Sequence, residues 1–363
     1  MDKKPEFIWD VGTAYDFFIS LDVLHHPDRY ALRGNWAAGV RSRLPAKKRE
    51  LLQTIVKANA VWPIPWLARL PVPHKDVSAV LNALAAIPAS ERLPEMTRCY
   101  LKPAQQELLH CVAARGTWDD ADLETLRDIY KEIYRKENKK RKITDDDLRV
   151  QLRTWANPGE FGEGYLAALQ TYYEVFFAED EQRILPALQE TMVQAQQLTA
   201  VLTLPELLEE LSQGLQFDVA DLNSARRVRM APSFWTTPLS LFMRLDEATD
   251  EWIFLFGGRP VDVSLVPGEV VPELLHQTLK ALADPTRLRI LRYLSAEPLT
   301  PAELARRLRL RPPTVIHHLD ALRVARLVQL RLGHDGRRYA ARREAVKLAC
   351  EMLDAYLYVK REA

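Results

Sequence analysis

Between residues 284 and 324 the apolar positions fall into three consecutive runs at helical spacing. Leu288, Leu291 and Leu294, with Ile290 beside them, predict one buried stripe. Asp284 and Pro285 stand where a capping side chain and a first-turn proline belong. Thr300, Pro301 and Glu303 form a capping box, and Leu304 and Leu308 carry the apolar face of the helix it opens. After a short turn at residues 309–311 a third helix begins at Pro312 or Pro313, with Val315, Leu319 and Leu322 toward the core. The period then changes. Residues 327–332 alternate as a strand, 333–336 supply turn residues, and 337–341 return. Three helices followed by a hairpin are the pattern of a winged helix-turn-helix.

Upstream, the 3.6-residue period dominates. Residues 7–60 read as helices, the first an amphipathic run through Tyr15, Phe18 and Leu24. Further helices are expected over 76–87, 102–115, 117–136, 165–177, 179–202 and 205–212. Another, with an acidic first turn at residues 145–147, is capped by Thr144. Prolines at 63, 65, 71 and 73 predict an extended stretch, and the glycine-rich segment 158–164 reads as a connection. Trp9, Trp36, Trp62 and Trp66 fit either an aromatic pocket or core packing. After Gly214 short strands are expected at 215–220, 227–231, 239–245 and 251–256, forming a small, mostly antiparallel sheet. The fold class expected is mainly α: a large helical body over 1–213, a β-rich connecting segment over 214–268, and a winged helix-turn-helix with a terminal helix over 269–363.

Composition changes this picture little, and charge changes it more. The 363 residues are 47% hydrophobic and 27% charged, ordinary for a globular chain. No apolar stretch suits a membrane span or a signal peptide, and Cys99, Cys111 and Cys350 make no paired motif, so a reducing cytoplasm is the compartment expected. The whole chain carries only +1, yet residues 272–345 hold 15 arginines and lysines against 7 aspartates and glutamates. Such a basic end on a mildly acidic body suits attraction to phosphate confined to one module. The candidate contacts to double-stranded DNA are Thr300, Arg311, Thr314, His317, His318 and Arg323 on the helices, and Arg331, Arg337 and Arg338 on the hairpin. A second basic run at 139–142, answered by three aspartates at 145–147, fits a nucleic-acid contact or a solvated loop.

Residues 279–341 resemble the DNA-binding domain of the ArsR family of bacterial and archaeal repressors. The stretch from Ala281 through Asp284, Pro285 and Arg287 to Leu291 matches the opening of that family's domain, and His318, Leu319 and Leu322 match its recognition helix. The resemblance implies a homodimer whose interface is made by the flanking helices, here residues 271–282 and 343–359. The second carries Val346, Ala349, Met352, Leu353, Tyr356 and Leu357 on one stripe, which suits a partner chain or its own body. More loosely, residues 21–44, 62–73 and 230–235 look like the helical module that precedes this head in some bacterial regulators.

The departures are specific. The helix at 301–308 has no cysteine and the terminal helix no histidine, so the family's usual metal sites are missing, and Cys350 reads as a small buried residue. Pro312 and Ile316 stand where many members carry polar groups, and Arg326 replaces a usual glycine. His317 and His318 project about 100° apart on a helix, which favours a DNA contact or a buried histidine over a metal site. No nucleophile elbow, His-Glu-x-x-His or dinucleotide fingerprint appears, so no catalytic residue, metal or cofactor is assigned. The function expected is a homodimeric, sequence-specific DNA-binding regulator, a repressor by resemblance, with a non-metal small-molecule effector sensed by the body. The rival is a winged-helix protein–protein interaction module that has lost specific DNA reading.

Overall fold

The computed structural model describes residues 5–10, 12–30, 32–136, 143–212, 215–216, 225–237, 239–246, 250–260, 263–267, 271–333 and 336–358. The basic run at 139–142 and most of the strand expected at 215–220 lie outside them. The chain is mainly α, with a small sheet and a helix-turn-helix toward its C-terminal end. It forms two compact units. One holds residues 10–26 and 34–185, the other residues 1–9, 27–33 and 186–363.

The first unit is helical: α1 (Ala14–His25), α2 (Gly34–Ser42), α3 (Ala46–Lys57), α4 (Ile64–Arg69), α5 (Val77–Ala86), α6 (Ala89–Thr97), α7 (Pro103–Arg115), α8 (Asp120–Lys136), α9 (Asp145–Ala156) and α10 (Pro158–Tyr172). A π-turn at Tyr173–Phe177 continues into α11 (Ala178–Val201). The expected amphipathic α1 is instead buried nearly all round: Phe17, Leu21 and Leu24 share one side, and Tyr15 on the opposite side is buried as well. Phe17 alone packs on Phe18, Tyr172 and Phe177 with centroids 5.2–5.4 Å apart. Beside it, the buried Lys75 ammonium donates to Asp10 Oδ2 at 2.5 Å and to the Ala68 carbonyl at 2.8 Å, while the Tyr15 hydroxyl donates to the same carboxylate. A buried charge is tolerable only with such partners.

Two further expectations are corrected here. The glycine-rich segment 158–164 is the start of α10, not a connection. Pro158 sits in the first turn, and a Cβ on Gly162 would lie 2.0 Å from the Ala89 carbonyl oxygen, so the glycine permits a close crossing with α6. The proline stretch contains α4, with Trp66 buried, and Trp36 packs on Phe176 at 6.0 Å. The cap at Thr144 is as expected: its hydroxyl accepts from the Asp147 amide, and Asp147 answers to the Thr144 amide.

The second unit begins with β1 (Glu6–Trp9), a strand where a helix was expected. The rest of α11, from Pro186, and α12 (Leu204–Leu211) pack against a sheet of β1, β3 (Arg227–Ser233), β4 (Leu241–Asp246) and β5 (Glu251–Gly257). The sheet order is β1-β3-β5-β4. Only β4–β5 is antiparallel, whereas β1–β3 and β3–β5 are parallel. β5 lies between β4 and β3 and runs parallel to β3. Val228 and Met230 on β3 and Phe254 and Phe256 on β5 alternate onto one face, where Leu204, Leu207 and Leu208 cover them. β2 (Leu215–Gln216) instead pairs with a strand of the C-terminal module. No described helix is long and apolar enough to cross a membrane.

His25 provides a pH-dependent probe of the first unit. Burial, aided by Arg41, His26 and Lys57, pushes its pKa down to about 4, against a bond of 2.7 Å between Nδ1 and the Leu21 carbonyl. The unfolded chain therefore binds this proton more readily between pH 6.5 and 4. The stability contributed is complete above pH 6.5 and is lost as pH falls toward 4. Linkage gives a loss of roughly 2 kcal/mol by pH 5. His25→Gln should therefore shrink the difference in thermal midpoint between pH 7.5 and pH 5, read by circular dichroism.

Candidate nucleic-acid interface

The basic module is built on α13 (Glu273–Leu282), α14 (Pro285–Leu294), α15 (Pro301–Leu308), α16 (Pro312–Val324), the hairpin β6 (Val328–Gly333) and β7 (Gly336–Ala341), and α17 (Arg343–Leu357). Its core joins Ile290, Leu294, Leu304, Leu308, Val315 and Leu319 with Leu330 and Tyr339 of the hairpin. Leu291 and Leu294 are buried as expected, but Leu288 is 49% exposed, and Ile290 takes the inward place. Spacings of three alone drift around a helix, so the third leucine leaves the face.

Each boundary has a physical cause. The Asp284 carboxylate accepts from the Arg287 amide at 3.0 Å, which holds it below the usual carboxylate range. Thr300 and Glu303 form the reciprocal capping box, so the Thr300 hydroxyl is already engaged, donating to Glu303 Oε2 at 2.9 Å. These bonds pull the Glu303 pKa down. α15 ends at Arg309, whose φ of 57° turns the chain into α16. The hairpin is tied back to the start of α15 by paired backbone bonds between Leu299 and Tyr339, at 2.8 and 2.9 Å.

On α16, Val315, Leu319 and Leu322 are fully buried. Turning the helix over gives Pro312, Pro313, Thr314, Ile316 and His317, all exposed, with Arg311 exposed just before them. Ile316 is 43% exposed. His318 lies partly buried. Its Nδ1 is sealed without a partner and burial lowers its pKa, while the Asp284 carboxylate opposes that shift. Arg323 is partly buried near the end of the helix.

On the hairpin, Arg331 pairs in register with Arg338 and Leu332 with Arg337. Arg331 and Arg337 are exposed. Arg338 reaches Glu303 Oε2 and the Pro298 carbonyl, both at 3.4 Å, so it braces the hairpin against α15. The structure thus brings Arg311, Thr314 and His317 together on one exposed helix face. It places Arg331 and Arg337 on the exposed hairpin, while Thr300, His318, Arg323 and Arg338 have partial structural roles or partial burial. Ile316, not among the candidate contacts, is also exposed on α16, about 100° round the helix from His317. Cys350, expected to be buried, is exposed, and the neighbouring Ala349 fills the inward place. Among the described residues no cluster of His, Cys, Asp or Glu is arranged to hold a metal.

Substitution separates the two roles. Thr300→Ala should lower stability by about 1 kcal/mol through loss of the cap, whereas Thr314→Ala should leave the thermal midpoint unchanged. Scanning calorimetry of the two variants reads the difference.

Comparison with family models matches residues 284–329 to the bacterial regulatory protein, arsR family. Neither the curated proteins nor the solved structures gave a match to the chain. The matched segment runs from the Asp284 cap through α16 into β6, and the exposed Arg331 and Arg337 of the hairpin lie beyond it. Toward its C-terminal end, therefore, the chain carries a DNA-binding helix-turn-helix domain of the arsR family of transcription regulators.

Proposed function

We propose that the chain is a sequence-specific transcription regulator that acts as a homodimer, with α16 entering the major groove and the β6–β7 hairpin serving as a wing beside the phosphate backbone. The observation that carries this reading is the division of α16: Val315, Leu319 and Leu322 lock it to the core while Thr314, Ile316 and His317 stand free on the opposite side. A helix held this way can present side chains to base edges without moving. Thr314 and His317 supply hydrogen-bonding groups, and Ile316 supplies an apolar contact of the kind that reads a thymine methyl. Arg331 and Arg337 meet phosphate, which fixes register but carries no sequence information.

Dimer formation is supported by α17. Val346, Tyr356 and Leu357 are 38–59% exposed along one helix of a single chain, an apolar stripe without a cover. Two such heads would meet half-sites about 10 bp, or a multiple of that, apart. The repressor sense and a small-molecule effector rest on the family resemblance and on the size of the helical body. The exposed Ile316, Pro312 and Pro313 also favour a second reading, a helix that docks on a protein partner.

Fluorescence anisotropy with DNA from upstream of the chain's own gene, against scrambled DNA, decides between them. A DNA reader should prefer its site by about a thousandfold or more. Its affinity should fall steeply with salt, and Arg337→Ala should weaken every sequence alike while reducing the salt slope by about one. His317→Ala should instead reduce the preference for the specific site. No binding at low salt would overturn the DNA reading in favour of the protein partner.

A further inference from the structure

A second basic feature lies away from the exposed face of α16. A cleft of about 310 Å³ opens between α13, the turn that follows α16, and the start of α17. Leu274, Leu348 and Met352 give it an apolar wall, and Arg326, Arg342 and Glu344 give it a polar one.

Arg326 is the unusual member. It occupies the left-handed position that closes α16, with φ of 57°. Its amide donates to the Arg323 carbonyl at 2.9 Å, and the Leu327 amide donates to the Leu322 carbonyl at 2.9 Å, the pair of hydrogen bonds of a helix end that favours glycine. A side chain there costs backbone strain, and this one recovers nothing visible. Its Nε is sealed from solvent without a hydrogen-bond partner. Among the described residues no carboxylate pairs with it, for Glu344 lies 3.7 Å from Arg342 instead. Burial, then repulsion from Arg259 and Arg342, presses its pKa down to about 9, a sign of how poorly the charge is accommodated; a guanidinium still keeps its proton at neutral pH. Arg309 shows the contrast. It has the same backbone conformation at the end of α15, yet its side chain is exposed to water.

A strained, poorly solvated cation at the polar end of an apolar cleft has a complementary ligand. We infer that this cleft binds a small amphipathic anion, a carboxylate or phosphate head on an apolar tail, with Arg326 pairing to the oxyanion and Leu274, Leu348 and Met352 holding the tail. An oxyanion meets the guanidinium with charge-assisted hydrogen bonds, which are the strong ones. Of the apolar stripe on α17, Ala349 and Met352 line the cleft, whereas Val346, Leu353, Tyr356 and Leu357 do not. The ligand would touch the residues that end α16, where Thr278 also donates to the Ala325 carbonyl at 3.4 Å. Coupling of this site to DNA affinity rests on the reading of α16 given above, whereas ligand binding does not.

Isothermal titration of the full chain with octanoate and with octyl phosphate, against octanol, tests the site without DNA. At least one of the two anions should bind saturably while octanol does not. Arg326→Gly should weaken that binding at least about tenfold. The same substitution should leave the thermal midpoint of the ligand-free chain unchanged or raised, since glycine relieves the backbone and removes an unpaired charge. A clear fall in that midpoint would mean that Arg326 is a structural residue and would overturn the proposal. So would failure of both anions to bind, octanol binding as well as octanoate, or an affinity unaffected by Arg326→Gly.

Discussion

The C-terminal module depends on one seam. Val315, Leu319 and Leu322 are spaced so that a single side of α16 is sealed into the core formed with α14, α15 and the hairpin. Because that side is fixed, the opposite side is fixed as well, and Thr314, Ile316 and His317 have no freedom to be anywhere but outside. Presentation of side chains to a groove requires this kind of rigidity, since each contact to a base edge demands a set position. The caps at Asp284 and Thr300 and the Leu299–Tyr339 pairing serve the same end, by fixing where the supporting helices begin and where the hairpin stands.

Charge follows the same division. The basic residues that face water, among them Arg311, Arg331 and Arg337, suit the diffuse attraction of phosphate, which needs exposure and little geometry. Those that are partly buried do something different. Arg338 braces the hairpin on Glu303, and Arg326 sits strained and unpaired in the cleft at the end of α16. A net positive charge counted along the sequence merges these three behaviours, and only burial and partners separate them.

Legibility tracked the range of the interactions. Caps are local, so Asp284, Thr300 and Thr144 announced their helices, and a hairpin with glycines at its turn announced itself too. What needed a distant partner was lost. The sequence around Gly162 reads as a loop because the reason for its glycine, the Ala89 backbone, lies far away in the chain. β1 read as helix because its strand character depends on pairing with Arg227–Met230. The parallel order of β3 and β5 likewise follows from an insertion that no local pattern records. In the site, the outward side of α16 could be read from its period, but the inward lean of His318, the brace made by Arg338 and the isolation of Arg326 are tertiary facts.

Hydrogen exchange of the full chain, followed by mass spectrometry with and without its upstream DNA, reads directly whether α16 and the hairpin meet DNA. Exchange should slow in α16 and in β6–β7 when DNA is added, with α8 and α9 of the first unit unchanged. Protection confined to the first unit, with α16 exchanging at its free rate in the presence of bound DNA, would contradict that contact.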